Sequence, residues 1–172
     1  MSRRQVVINP ASYAISRENI FDNIKSIASN QLFECDIIVP NICSVNNTKS
    51  SFLEEAQTTF PALIGFETFG KQDIGAVKFL EVANFKKNRI FFCNMYAEKF
   101  YKGRKINYFH LFNCMTQIRN ICLDSKKKND RIVKIHTRKD ALGVNGKHGG
   151  RWTTIADFIG DCWNGIEVTI HE

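Results

Sequence analysis

The sequence predicts an α/β fold: a largely parallel or mixed sheet covered on both faces by helices. Three observations carry that expectation. Apolar, strand-like runs alternate with helix-period segments along the whole chain. One run, CDIIVP at 35–40, is continuous rather than alternating, as a strand buried on both faces is, and RIVKIH at 131–136 reads as a second buried strand. Each of those two runs leads through a turn-rich or glycine-rich loop into a helix-period segment, the position where ligands bind in such sheets.

Taken in order, QVVI at 5–8 reads as a short strand cut by Pro10. SRENIFDNIKSIASN then begins with Ser16 and Glu18, an N-cap-like start that places Ile20, Ile24 and Ile27 on one helical face. After the strand at 35–40, SSFLEEAQTTF reads as a helix that must end before Pro61. AVKFLEVA at 76–83 and NRIFFCNMYA at 88–97 are two strands, and the residues between Phe85 and Asn88 turn a hairpin or other tight connection. The next segment, from 106 to 124, spaces Phe109, Phe112, Ile118 and Cys122 along a helical face. DRIVKIHT is a buried strand. TTIADFIGDCW is a helix with Ile155, Phe158, Ile159 and Cys162 inward, and GIEVTIHE is a closing strand after the cap-like pair Asn164 and Gly165.

A chain of 172 residues is the length of one domain and long enough to bury a core without disulfides or metals, so residues 1–172 are expected to form a single unit. With 44% apolar and 24% charged residues the composition is globular. No segment has the uninterrupted apolar length of a membrane span, and the start MSRRQVVINPAS lacks the apolar core of a signal peptide. A cytoplasmic protein without membrane contact is expected. The six cysteines show no zinc spacing and sit among apolar neighbours, which reads as reduced core; no metal and no cofactor are expected. A net charge of +7 favours an anionic ligand or partner. Much of the excess lies in FYKGRKINYF and in DSKKKNDR, where Lys126, Lys127 and Lys128 read first as a solvated helix end or loop and second as a weak nucleic-acid contact.

The loop ALGVNGKHGGRW at 141–152 holds four of the ten glycines. Glycine admits left-handed backbone and close approach, so Gly143, Gly146, Gly149 and Gly150 can turn successive N–H groups toward one anion, aided by the partial charge of the helix that begins near Thr153 or Thr154. Lys139, Lys147 and Arg151 would strengthen such a site. Neither a Walker loop nor a dinucleotide fingerprint is present. Asn41, Asn46 and Asn47 cluster around the other loop, where amides serve ribose hydroxyls or the turn itself. His136 reads as a core histidine, and His110 and His171 have no supporting sequence neighbours.

GKHGGRW at 146–152, followed by an apolar helix and the terminal strand IEVTI, resembles the G-L-A-G-G-x-W stretch before the last helix of macro domains. Within that family the sequence is most similar to the branch of phage-type ADP-ribose 1''-phosphate phosphatases and terminal ADP-ribose glycohydrolases. CDIIVPNICSVNNTKSSFLEEAQTTFP is similar to the family's strand, first ligand loop and helix ending in Phe-Pro. ENIF at 18–21 looks like its G-D-I-F, and the resemblance spans nearly the whole chain.

The resemblance implies a three-layer α/β/α macro-domain-like fold with a central mixed sheet and a cleft for ADP-ribose or a derivative, free or attached to a macromolecule. Asn19 and Ile20 would lie beside the adenine. The first loop, Cys43 through Phe52, would surround the distal ribose and phosphate, with Asn46, Asn47, Lys49, Ser50 and Ser51 as contacts. Val144, Asn145, Gly146, Lys147, His148, Gly149 and Gly150 would form the second loop around the diphosphate, and Met95 and Tyr96 would border the nucleotide.

Two departures bear on chemistry. The first loop carries Thr48, Lys49, Ser50 and Ser51 where the family has glycines, and the attacking lysine of the glycohydrolases falls near Gln57 or Thr58, which disfavours a Schiff base. The family's carboxylate two residues past the glycine matching Gly146 is here His148, an imidazole able to act as acid or base or as a phosphate donor. Three functions follow: a reader or sequestering module for ADP-ribose or a related NAD-derived nucleotide; a hydrolase using His148 on ADP-ribose 1''-phosphate or an ADP-ribosyl group; and, more weakly, a nucleic-acid-binding accessory protein. If the branch holds, the source is a virus or phage and the site of action the host cytoplasm.

Overall fold

The computed structural model describes residues 13–30, 34–44, 50–66, 73–85, 87–101, 104–144, 146 and 148–172. In chain order it contains β1 (Ala14–Ser16), α1 (Ile20–Ser29), β2 (Cys35–Ser44), α2 (Ser51–Thr59), β3 (Val77–Phe85), β4 (Asn88–Tyr101), β5 (Arg104–Ile106), α3 (Tyr108–Asn129), β6 (Ile132–Arg138), α4 (Trp152–Cys162) and β7 (Glu167–His171). The strands form one mixed sheet in the order β1-β7-β6-β2-β4-β3, with β5 paired to β4. All pairings from β1 to β4 are parallel, and the β3–β4 hairpin and β4–β5 are antiparallel.

Burial explains the central place of β2. Every one of its residues is buried, because it lies between β6 and β4 and is covered on both faces. One face packs Ile37, Val39, Ile90 and Phe92 against α1 and α2 through Ile20, Ile24, Phe52 and Leu53. The other packs Ile38, Ile42, Met95 and Ile135 against α3 and α4 through Met115, Ile118, Ile155 and Ile159. Helix, sheet and helix thus make three layers. At the base of the sheet Asn88, the first residue of β4, accepts a hydrogen bond from Cys35 N and donates to Ala28 O and Asn30 O, joining the hairpin to β2 and α1.

Several expectations are corrected by this packing. The N-cap of α1 is Asn19, whose Oδ1 accepts from Phe21 N and Asp22 N, while Ser16 is drawn into β1 opposite His171. In α3 the buried stripe is Leu111, Cys114, Met115, Ile118 and Cys122; Phe109 is 71% exposed and Phe112 lies at the surface. Phe158 is only half-buried, its ring edge-on to Phe112 and Tyr108. The strand expected at 5–8 lies outside the described residues, and β1 takes the edge position beside β7 instead. Among the described residues no helix is long and apolar enough to cross a membrane.

Candidate functional site

Strands β2 and β6 are neighbours, yet the chain leaves β2 for α2 on one face and leaves β6 for α4 on the other. Loops that diverge from adjacent parallel strands open a crevice at the strands' C-terminal ends, and that switch point is where open α/β sheets hold ligands.

The segment after β6 builds one wall. Lys139 O accepts from Val144 N, Asp140 O from Gly143 N, and Ala141 O from Ile42 N, so the turn is pinned to itself and to β2. Gly143 has φ +87°, and a side chain there would press on Ile106 and Ile42. Gly150 donates its N–H to Gly143 O at 2.8 Å and lies in a bridge with Val144. A Cβ on Gly150 would collide with that same carbonyl. Gly143 is therefore required by its left-handed backbone and the side chains around it and Gly150 by close backbone approach, and the bridge between Val144 and Gly150 leads directly to α4. Helix α4 starts at Trp152, receives no capping hydrogen bond from the Arg151 side chain, and turns its N-terminus toward the turn; Arg151 N donates to Tyr108 Oη at 2.9 Å.

At one end of this wall lies a cleft of about 370 Å³ lined by Glu18, Asn19, Ile20, Arg138, Lys139, Asp140, His171 and Glu172. Arg138 is held by Asp140 and by Glu55 of α2, each at 2.8 Å, and its guanidinium lies over the Phe52 ring. The two carboxylates raise its pKa further above the ordinary arginine value against the opposing effect of burial. Lys139 rests over the Trp152 ring, 4.7 Å from the centroid. His171 donates from Nδ1 to Glu18 O at 3.0 Å, so its Nε2 accepts from His136 Nδ1 at 2.9 Å. His136 Nε2, buried, has no hydrogen-bond partner among the described residues. Burial, then the His171 neighbour, push His136 down to about 3, and burial lowers His171 as well.

At the other end is His148. Its Nδ1 is hydrogen-bonded to Oε2 of Glu98, which lies near the end of β4 between Ser44 of β2 and Ile106 of β5. Glu98 is 4% exposed.

The structure brings some expected residues together and not others. Asn19 and Ile20 line the cleft. Val144, Gly146, His148, Gly149 and Gly150 form the turn; Asn145 and Lys147 lie outside the described residues, as do Asn46, Asn47 and Lys49. Asn41 is not in a loop: it sits in β2 with its amide donating to Asn94 Oδ1 and Cys93 O, and its Oδ1 accepts the Cys43 thiol. Cys43 is likewise buried in β2. Ser50 caps α2 by accepting from Leu53 N, Ser51 is exposed in the first turn, and Phe52 turns its ring into the core beside Phe21 and Phe92. Met95 and Tyr96 are fully buried. Gln57, which with Thr58 lies where the resemblance would put the attacking lysine, donates its amide to Leu63 O. Glu98, Arg138 and His171 were not singled out by the sequence; the one available signal was an acidic residue ending the apolar run of β4.

No family model matches the sequence, and no curated protein matches it. Solved structures do. A protein of unknown function from Bacteroides thetaiotaomicron superposes with a TM-score of 0.68 at 15% identity, covering 95% of this chain and 99% of that one. A macrodomain protein from Streptomyces coelicolor matches with a TM-score of 0.60 at 15% identity over 93% of this chain and 97% of its own. The chain has a macrodomain fold. An alphavirus protein, P23pro-zbd, contains a similar unit: TM-score 0.54 at 12% identity, over 98% of this chain and 22% of that one.

Proposed function

We propose that the crevice binds ADP-ribose or a related NAD-derived nucleotide, free or attached to a macromolecule, and that the protein is a reader or sequestering module of the phage-type branch. The observation that carries this reading is the arrangement along one wall. A cleft bounded by Asn19 and Ile20 is followed by a closed glycine turn with an uncapped helix start beside it, and then by a hydrogen-bonded pair, the buried Glu98 and the half-buried His148. A flat base fits the cleft, a diphosphate fits the turn and the helix start, and a second ribose reaches the pair. The macrodomain fold and the resemblance of GKHGGRW support the same ligand class.

A second reading, hydrolysis of ADP-ribose 1''-phosphate or of an ADP-ribosyl link, is favoured by one observation: His148 is bonded to a carboxylate in the way acid–base histidines are. Gln57 in place of lysine argues against a Schiff base. Nucleic-acid contact has less support, since Lys126, Lys127 and Lys128 occupy the last turn of α3, where they complement its dipole, and Lys128 pairs with Asp124.

Calorimetric titration with ADP-ribose, with parallel incubation in ADP-ribose 1''-phosphate and assay of released phosphate, separates these. A Kd on the order of micromolar without turnover supports the reader. Phosphate release that His148→Ala abolishes while binding persists supports the hydrolase. Binding only to unmodified DNA, falling steeply with salt, supports neither.

A further inference from the structure

We propose that Glu98 is a positioning residue for His148: it fixes the imidazole as the Nδ1–H tautomer, so that Nε2 is a proton acceptor toward a hydroxyl or water in the crevice. Glu98 is buried at the junction of β2, β4 and β5, where a carboxylate without a hydrogen-bonded partner would be strongly destabilising. Its described side-chain partner is His148 Nδ1, and a carboxylate acceptor requires the proton on that nitrogen. Nε2 has no protein partner among the described residues. A lone pair there accepts from O–H, and the carboxylate behind Nδ1 stabilises the imidazolium if the proton is taken.

The second histidine pair shows that this is not a general property of the chain's histidines. His136 and His171 also have filled Nδ1 positions, but their acceptors are an imidazole and a carbonyl, neither of which carries charge. Burial therefore keeps them neutral, whereas His148 alone is backed by an anion. Backbone geometry helps to place it: Gly143 has no side chain, and a Cβ there would lie 3.4 Å from His148 Cβ and 2.9 Å from Ile106 Cδ1.

The identity of the hydroxyl rests on the nucleotide reading above; the tautomer does not. Long-range proton–nitrogen NMR on the full chain, comparing wild type with Glu98→Gln, tests the proposal. The expected result is an Nδ1–H His148 in wild type and a mixed tautomer population in Glu98→Gln, whose amide can either accept or donate. An Nε2–H tautomer in wild type, or an unchanged Nδ1–H population in the variant, overturns it. The wild-type tautomer decides the matter even if the variant fails to fold, and the His136 and His171 signals report that folding. In the same samples, absence of an ADP-ribose response with the Nδ1–H tautomer retained would end the nucleotide reading and leave the positioning role standing.

Discussion

Two buried carboxylates stand at opposite ends of the β2–β4 pair. Asp36, at the N-terminal ends of the strands, is 5% exposed and receives a bidentate Arg89, Nε at 2.9 Å and Nη2 at 2.8 Å, together with Arg131 Nη2 at 2.8 Å. Glu98, at the C-terminal ends, is 4% exposed and among the described residues meets the imidazole of His148. Arginine does not give up its proton, so the two guanidinium groups hold their charge and the cluster serves as a clamp across β2, β4 and the start of β6. Histidine can, so the second is a place where a proton can move. Equal burial with different partners divides stability from chemistry between the two ends of one sheet.

The largest effect should come from breaking the clamp. Asp36→Ala leaves two guanidinium groups without their shared anion and is expected to cost about 3–5 kcal/mol in denaturant unfolding. A loss below about 1 kcal/mol would mean that the cluster is solvated and no clamp at all.

Acid should act next, through the neutral histidine pair. The folded His136 is depressed to about 3 against an unfolded value near 6.5. Its contribution is present above pH 6.5 and is lost as pH falls toward 3, because the unfolded chain binds the proton first. Stability should drop by about 2–3 kcal/mol between pH 7 and pH 4.5, with His171 acting in the same direction. His136→Gln should flatten that slope, and an unchanged slope would place the pair outside the linkage.

Gly150→Ala forces a methyl group against the Gly143 carbonyl, with Ile155 behind it. The expected cost is about 1–3 kcal/mol, with a loss of ligand affinity larger than the stability change explains. Equal affinity in this variant would remove the turn from the binding surface. Glu98→Gln should have the smallest effect on stability, under about 1 kcal/mol, because an amide oxygen still accepts from His148. If it unfolded the protein as Asp36→Ala does, the contrast between the two carboxylates would fail.

The sequence was most readable where burial imposes a local pattern. The unbroken apolar run of β2, the Phe85–Asn88 hairpin and the helix stop before Pro61 follow from strand and proline chemistry over a few residues. It was least readable where several local solutions compete. Both Ser16 and Asn19 can cap a helix, and pairing with His171 across the sheet decides between them. In α3, Tyr108, Phe109, Leu111 and Phe112 offer more than one apolar face, and packing on β4 selects the one with Leu111 and Met115. At the site, the glycine turn was visible as composition. The partner of His148 was not, since Glu98 lies 50 residues away and no spacing rule links them. Asn41 misled in the same way: an amide near a loop suggests a ligand, but β2 extends to Ser44 and buries it.

The central claim is that one wall, from Asn19 through the glycine turn to His148, holds a single nucleotide. A backbone NMR titration with ADP-ribose tests it most directly. The account predicts that the shifts concentrate on Asn19 and Ile20, on Gly143 to Gly150, and on the first turn of α4, while Asp36, Arg89 and Arg131 stay still. Shifts confined to the Lys126–Lys128 end of α3, or no shifts at millimolar ligand, would contradict it.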